Sequence, residues 1–226
     1  MRFLENGGTH MQITIREPGS AITHFIGMMM AVFASVPLLV KAEICSGKQG
    51  LHAMVVFMLS MILLYGASAL YHTASVSEHV QKILRKIDHT MIYILIAGSY
   101  TPVCLLVLDH EKGYPLLALV WGLAAAGMVV ALLWINCPKW FSSIIYIAMG
   151  WVCILVFGEL FAALSGKAFL WLLAGGVIYT VGGVIYALKL PIFNSRHANF
   201  GSHEIFHLFV MGGSICHFVF MYGYVI

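Results

Sequence analysis

Seven predominantly apolar stretches follow one another with short polar connections, at roughly 21–41, 51–73, 88–108, 115–135, 141–163, 168–189 and 203–226. Each is close to the roughly 20 residues an α-helix needs to cross the hydrocarbon of a bilayer. Alternation of strand type is absent, which excludes a transmembrane barrel. At 61% hydrophobic and 9% charged residues the chain is also too apolar for a soluble domain. The sequence therefore predicts an all-α integral membrane protein, a single seven-transmembrane helix bundle using the whole of 1–226. The longest connections, near 74–87 and 190–202, leave no room for a second domain. Residues 1–20 are polar, carry Arg2, Glu5, Arg16 and Glu17, and do not read as a cleavable signal, so the first span is expected to stay in the mature protein.

Charge gives an orientation. Segments on the N-terminal side hold Arg2, Arg16, Lys82, Arg85, Lys86, Lys139, Lys189 and Arg196, whereas the opposite side holds Lys41, Lys48, Lys112 and Lys167. This bias predicts a cytoplasmic N-terminus, residues 1–20 included, in a multi-pass protein of the inner (plasma) membrane. The net charge of +3 carries no basic stripe, so no nucleic acid is expected as a partner; membrane lipid is. Cys45, Cys104, Cys137, Cys153 and Cys216 are scattered with no CxxC pair, which implies no disulfide framework, and Cys104, Cys153 and Cys216 read as small packing residues.

Small residues recur within spans, at Gly122 to Gly127 and at Gly175, Gly176, Gly182 and Gly183, where they let helices approach closely in lipid. Gly176 with Gly183 and Tyr179 with Tyr186 recur at seven-residue intervals, giving the sixth span a small, aromatic face that lines a cavity or seats a neighbour. Pro102 is expected to kink the third span and Pro191 to end the sixth.

Polar groups inside spans are costly and therefore informative. They are His24, Ser68, His72, Asp88, His89, Glu159, His203, Glu204, His207 and His217. His203-Glu204-Ile205-Phe206-His207 matches H-E-x-x-H, whose histidines lie one helical turn apart and can close on one ion; the pair can equally cap the polar end of a membrane helix. Span order places Ser68 and His72 at the end of the second span, Asp88 at the start of the third and His203 and His207 at the start of the seventh, all at one membrane level. Three neutral imidazoles and a water suit catalytic zinc, and His72, His203 and His207 can supply them. Asp88 is a candidate to hydrogen-bond the water or orient a ligand, or else a helix N-cap; Ser68, one turn before His72, is a candidate donor, or else packing. His24 shares the level and reads most simply as a cap. His217 lies about 15 Å beyond His207 along the helix, too far for the same ion, and is expected to be a buried hydrogen-bonding residue. Glu159 is expected deep in the fifth span, as a neutral buried acid or a snorkelling one.

These residues form blocks: Glu17-Pro18 leading to Thr23-His24, Ser68-Ala69-Leu70-Tyr71-His72, Asp88-His89 leading to Gly98-Ser99-Tyr100-Thr101-Pro102, and Ser202-His203-Glu204-Ile205-Phe206-His207. In order and spacing, over nearly the whole chain, they resemble the haemolysin III branch of the progestin and adipoQ receptor superfamily. The resemblance implies seven helices with the N-terminus inside and zinc near the cytoplasmic face. It implies His72, His203 and His207 as ligands, with Asp88 beside the bound water. Related alkaline ceramidases share the zinc arrangement and hydrolyse a lipid amide. Two departures matter: Ser20 stands where the first block often has Asn, and Glu204 occupies a position that is not acidic in other members, so a catalytic base there lacks support.

Two functions are expected from this pattern. The first is a zinc-dependent lipid amide hydrolase, ceramidase-like and serving lipid homeostasis, with Asp88 moving the proton and Ser68 orienting. The alternative is a non-enzymatic sensor or regulator of membrane fluidity in which zinc is structural, with a cytolytic haemolysin as a variant that retained spans disfavour.

Overall fold

The computed structural model describes residues 15–134, 137–188 and 200–226; the expectations for Arg2, Glu5, Lys189, Pro191 and Arg196 lie outside them. Among the described residues all regular structure is helical, and six helical stretches are long and apolar enough to cross a membrane. They run through α1 (Pro18–Thr73), α2 (Glu78–Pro102), α3 (His110–Leu133), α4 (Lys139–Gly150) leading into α5 (Phe157–Ala163), α6 (Gly166–Leu188) and α7 (Ser202–Phe220). Large apolar side chains such as Phe33, Ile44 and Leu133 point outward, as on a surface that meets lipid. The interior is packed by Phe57, Tyr65, Tyr93 and Phe220.

The six stretches differ from the seven runs in one place. The 56 residues of α1 would span about 84 Å if straight. Instead the Glu17 amide donates to the His72 carbonyl at 3.0 Å, and Gly27 lies against the Tyr65 ring. Both pairings require the chain to reverse midway. The reversal is at Gly47, where φ 59° and ψ −156° interrupt two otherwise helical limbs. Only glycine occupies that region without strain. The connection expected near residues 42–50 is thus helical on either side of one residue.

Two other expectations shift. The third run begins earlier than residue 88: α2 starts at Glu78 after Ser77, so Asp88 stands ten residues inside the helix and is no N-cap. Pro102 does not bend the middle of a span. It is the last residue of α2, and the chain widens there into a π turn, Val103–Val107, because proline supplies no amide to continue the α ladder. A second π turn, Met221–Val225, follows α7. Each turn has a carbonyl taken by a side chain from near the α1 reversal: Gln49 Nε2 donates to Leu105 O at 3.0 Å and Lys41 Nζ to Tyr222 O at 2.5 Å.

The fifth run breaks at Trp151 and passes through a 3₁₀ turn, Val152–Val156. Tyr100 bridges this break. Its hydroxyl donates to Gly150 O at 2.6 Å and accepts from the Cys153 amide at 2.9 Å, so the polar groups released by the interruption remain paired. Glu159, at the start of α5, is half exposed and pairs with Lys112 at 3.5 Å, so it is not a buried acid. All five cysteines are free; Cys104 and Cys216 are buried and Cys153 partly so.

Candidate metal centre

The hairpin of α1 brings both its ends to the start of α7. His72, in the last turn of α1, and His203 and His207, in the first turns of α7, each turn one ring nitrogen to a common point, with those atoms all within 4.8 Å of one another. His72 Nε2 and His203 Nε2 approach to 3.3 Å. His72 and His207 are buried and His203 partly so.

The outer nitrogens explain why the inner ones face inward. His72 Nδ1 is hydrogen-bonded to the Glu17 carboxylate, which as an acceptor requires the ring proton at Nδ1 and leaves Nε2 with its lone pair. Arg16, 3.1 Å from Glu17, lies over the Tyr71 ring and helps hold that carboxylate. The hydrogen bond from His72, reinforced by the Arg16 charge, outweighs the opposing effect of burial and lowers the Glu17 pKa to about 2. His207 Nδ1 is 3.2 Å from the Thr23 hydroxyl. That hydroxyl has one proton and two carbonyls within reach, Ser20 O at 2.9 Å and Gly19 O at 3.0 Å. It therefore accepts from His207 Nδ1–H, again freeing Nε2. Two of three imidazoles are thus oriented as zinc ligands commonly are, by a carboxylate and by an oxygen acceptor. The donor set fits zinc.

Asp88 and Ser68 are both buried, and both line the same cavity as the three histidines. Both expected positions therefore converge with the histidines. Glu204 does not. One of its oxygens accepts from the Gly201 amide at 2.8 Å and the other from Ser20 Oγ at 2.5 Å. It caps the N-terminus of α7, a favourable place for a carboxylate, and Gly201 has no side chain with which to return the bond of a full capping box. The departure at Ser20 is explained by the same contact.

His24 is no cap either. It is stacked on His207, centroids 3.6 Å apart at 11°, with its edge to Tyr65. Sequence reasoning gave Glu17 and Thr23 no role, although both belong to the first block; their function follows from the hairpin, which only the reversal at Gly47 creates.

The cluster lines a cavity of about 500 Å³. Arg85, His89, Lys139 and Tyr186 line it with the three histidines, and apolar side chains including Ile92, Ile96 and Ile147 form its walls. The expected face of α6 is there: Gly176, Tyr179, Gly183 and Tyr186 all line the cavity.

A family model described as haemolysin-III related matches residues 12–218. The chain belongs to the haemolysin-III related family. It is 37% identical over 206 residues to the Hemolysin-3 homolog of Bacillus subtilis (strain 168), covering 91% of this chain and 92% of that protein. It is 36% identical to Hemolysin-3 of Bacillus cereus over 215 residues, or 95% and 94% of the two chains. A more distant likeness, 23% identity, joins it to the Adiponectin receptor protein of Drosophila melanogaster, over 89% of this chain and 49% of that protein. This haemolysin-III related chain is thus a multi-pass membrane protein whose three clustered histidines can hold a metal ion.

Proposed function

We propose that this protein is a zinc-dependent hydrolase of a lipid amide, acting in lipid homeostasis at the plasma membrane. It crosses the membrane seven times with its N-terminus cytoplasmic, the two limbs of α1 counting as two crossings. The reading rests above all on His72, His203 and His207 converging in a largely apolar cavity that Asp88 and Ser68 also line. Zinc held by the three Nε2 atoms would supply a Lewis acid for the amide carbonyl and a water acidified to a pKa of roughly 7. Asp88 takes a proton on its carboxylate from the attacking water and returns it to the leaving amine. Ser68 orients that carboxylate, and the helices keep bulk water away.

Purified protein is expected to contain about one zinc per chain and to release fatty acid from a ceramide or a related N-acyl lipid. His207→Ala removes both properties, whereas Asp88→Asn keeps the metal and lowers the rate by about a hundredfold or more. Full activity in His207→Ala excludes the hydrolase. The ligands also lie on two helices already joined by Ser20 with Glu204 and Tyr65 with Ser214, an arrangement suited to a structural clamp. If cells lacking the gene lose control of membrane fluidity and a His72→Ala copy restores it, the clamp or sensor reading replaces the enzyme.

A further inference from the structure

The cavity changes character along its length. On α2 the lining residues recur at helical spacing, first Arg85, then Asp88 and His89, then Ile92 and Ile96, so one face of that helix runs from a cation through polar groups to hydrocarbon. Arg85 stands about one turn, roughly 5 Å, nearer the start of the helix than Asp88. The order repeats on α4. Its first residue, Lys139, lines the cavity, and Ile147 does so two turns further on. Lys139 Nζ lies over the Tyr186 ring, 4.2 Å from its centroid, and Tyr186 in turn meets His203 with centroids 5.6 Å apart.

Both charges are felt within the cavity. That of Arg85 acts on Asp88, His89 and Tyr186, and that of Lys139 on His89 and His203, all of them lining residues. The carboxylates that line the cavity are placed otherwise. Glu17 is engaged by His72 and Arg16, and Glu204 by Gly201 and Ser20. Asp88 is beyond ion-pair distance of Arg85, which forms no ion pair among the described residues. A half-buried guanidinium beside apolar walls is costly without a contact anion, and its planar fork of donors matches a carboxylate or a phosphate.

We infer that Arg85 and Lys139 form a subsite for an acidic group, a carboxylate or a phosphate, carried on the amine half of the N-acyl lipid whose amide lies at His72, His203 and His207. Anion, amide and hydrocarbon then follow one another in the order in which the cations, the polar cluster and the apolar walls line the cavity. A carboxylate on the carbon next to the amide nitrogen reaches the nearer part of this subsite, and a phosphate on a longer headgroup the outer part. The inference rests on the cavity holding an N-acyl lipid, as in the proposed function, but requires no hydrolysis.

The test is retention of matched probes by the full-length protein in uncharged detergent at low salt, measured by native mass spectrometry: a long-chain N-acylglycine against the N-acyl ethanolamide of the same chain, and a ceramide 1-phosphate against the ceramide. Wild type is expected to prefer the acidic member of one pair by about tenfold or more, the effect of one charge-assisted hydrogen bond, and the pair that shows it tells the carboxylate from the phosphate. Arg85→Gln with Lys139→Gln brings the ratio towards one, whereas Arg85→Lys keeps part of it. Equal retention of acidic and neutral probes in both pairs by wild type overturns the subsite, whether or not the variants fold. So does a preference that persists in the double variant, or one that is lost on chelation while both probes are still retained, since the metal and not the two cations then holds the acid. Preference without amide cleavage leaves the subsite standing and removes only the hydrolase; cleavage of an amide by a protein that shows no preference does the reverse.

Discussion

At the level of single residues, the functional partition within H-E-x-x-H is set by what each side chain already bonds. His203 and His207 turn toward His72, while both Glu204 oxygens are occupied by Gly201 and Ser20. Glu204→Gln is therefore expected to leave zinc content unchanged and to weaken the α7 cap, costing about 0.5–2 kcal/mol in thermal or denaturant unfolding. Glu17→Gln has the opposite profile. The amide can still accept from His72, but it loses the charge that makes the imidazole a better ligand, so competition with a chelator should show metal affinity lower by about 10–100-fold. Because the Glu17 pKa is depressed to about 2, its contribution is complete above the ordinary value of 4.5 and fades only as pH falls from there toward 2. The clustering of the three histidines was legible in the sequence because span order alone puts His72, Asp88, His203 and His207 at one level. Glu17 and Thr23 were not, since hydrogen bonds to the far side of a ligand depend on how the first helix folds back.

At the level of elements, hydropathy located the helices but not their ends or their breaks. The polar first part of α2, from Glu78 to Ile87, carries no apolar signal strong enough to mark it as helix, and this made Asp88 look like a cap rather than an interior residue. The reversal in α1 hangs on a backbone angle, which hydropathy does not encode. Gly47→Ala tests it cleanly. Nothing lies within 4 Å of the position a new Cβ would take, so the expected loss of about 1–3 kcal/mol in unfolding is a backbone cost alone. At the other break, Tyr100→Phe strips partners from Gly150 O and Cys153 N together. Its cost, about 0.5–1.5 kcal/mol for part-buried hydrogen bonds lost, should be accompanied by faster amide exchange localised to 150–156, whereas a general packing defect would spread the exchange through α2 and α4.

For the molecule as a whole, the proposed metal centre is also a joint. Its three histidines come from the end of α1 and the start of α7, so an ion held there would tie the second limb of the α1 hairpin to the last helix. An ion that binds only this assembled arrangement stabilises it by mass action, about 2.7 kcal/mol when free metal exceeds its dissociation constant a hundredfold. Chelation of the wild-type protein is thus expected to lower its unfolding temperature, and re-addition of zinc to restore it. His72→Ala should begin near the chelated value and respond to neither treatment. The contact between Ser20 and Glu204 links the same two helices without metal, so Ser20→Ala should lower both the metal-bound and the chelated unfolding temperatures by similar amounts. If instead chelation left wild type unchanged while zinc remained necessary for amide cleavage, the ion would act on substrate alone, and the joint between α1 and α7 would rest on the side-chain hydrogen bonds.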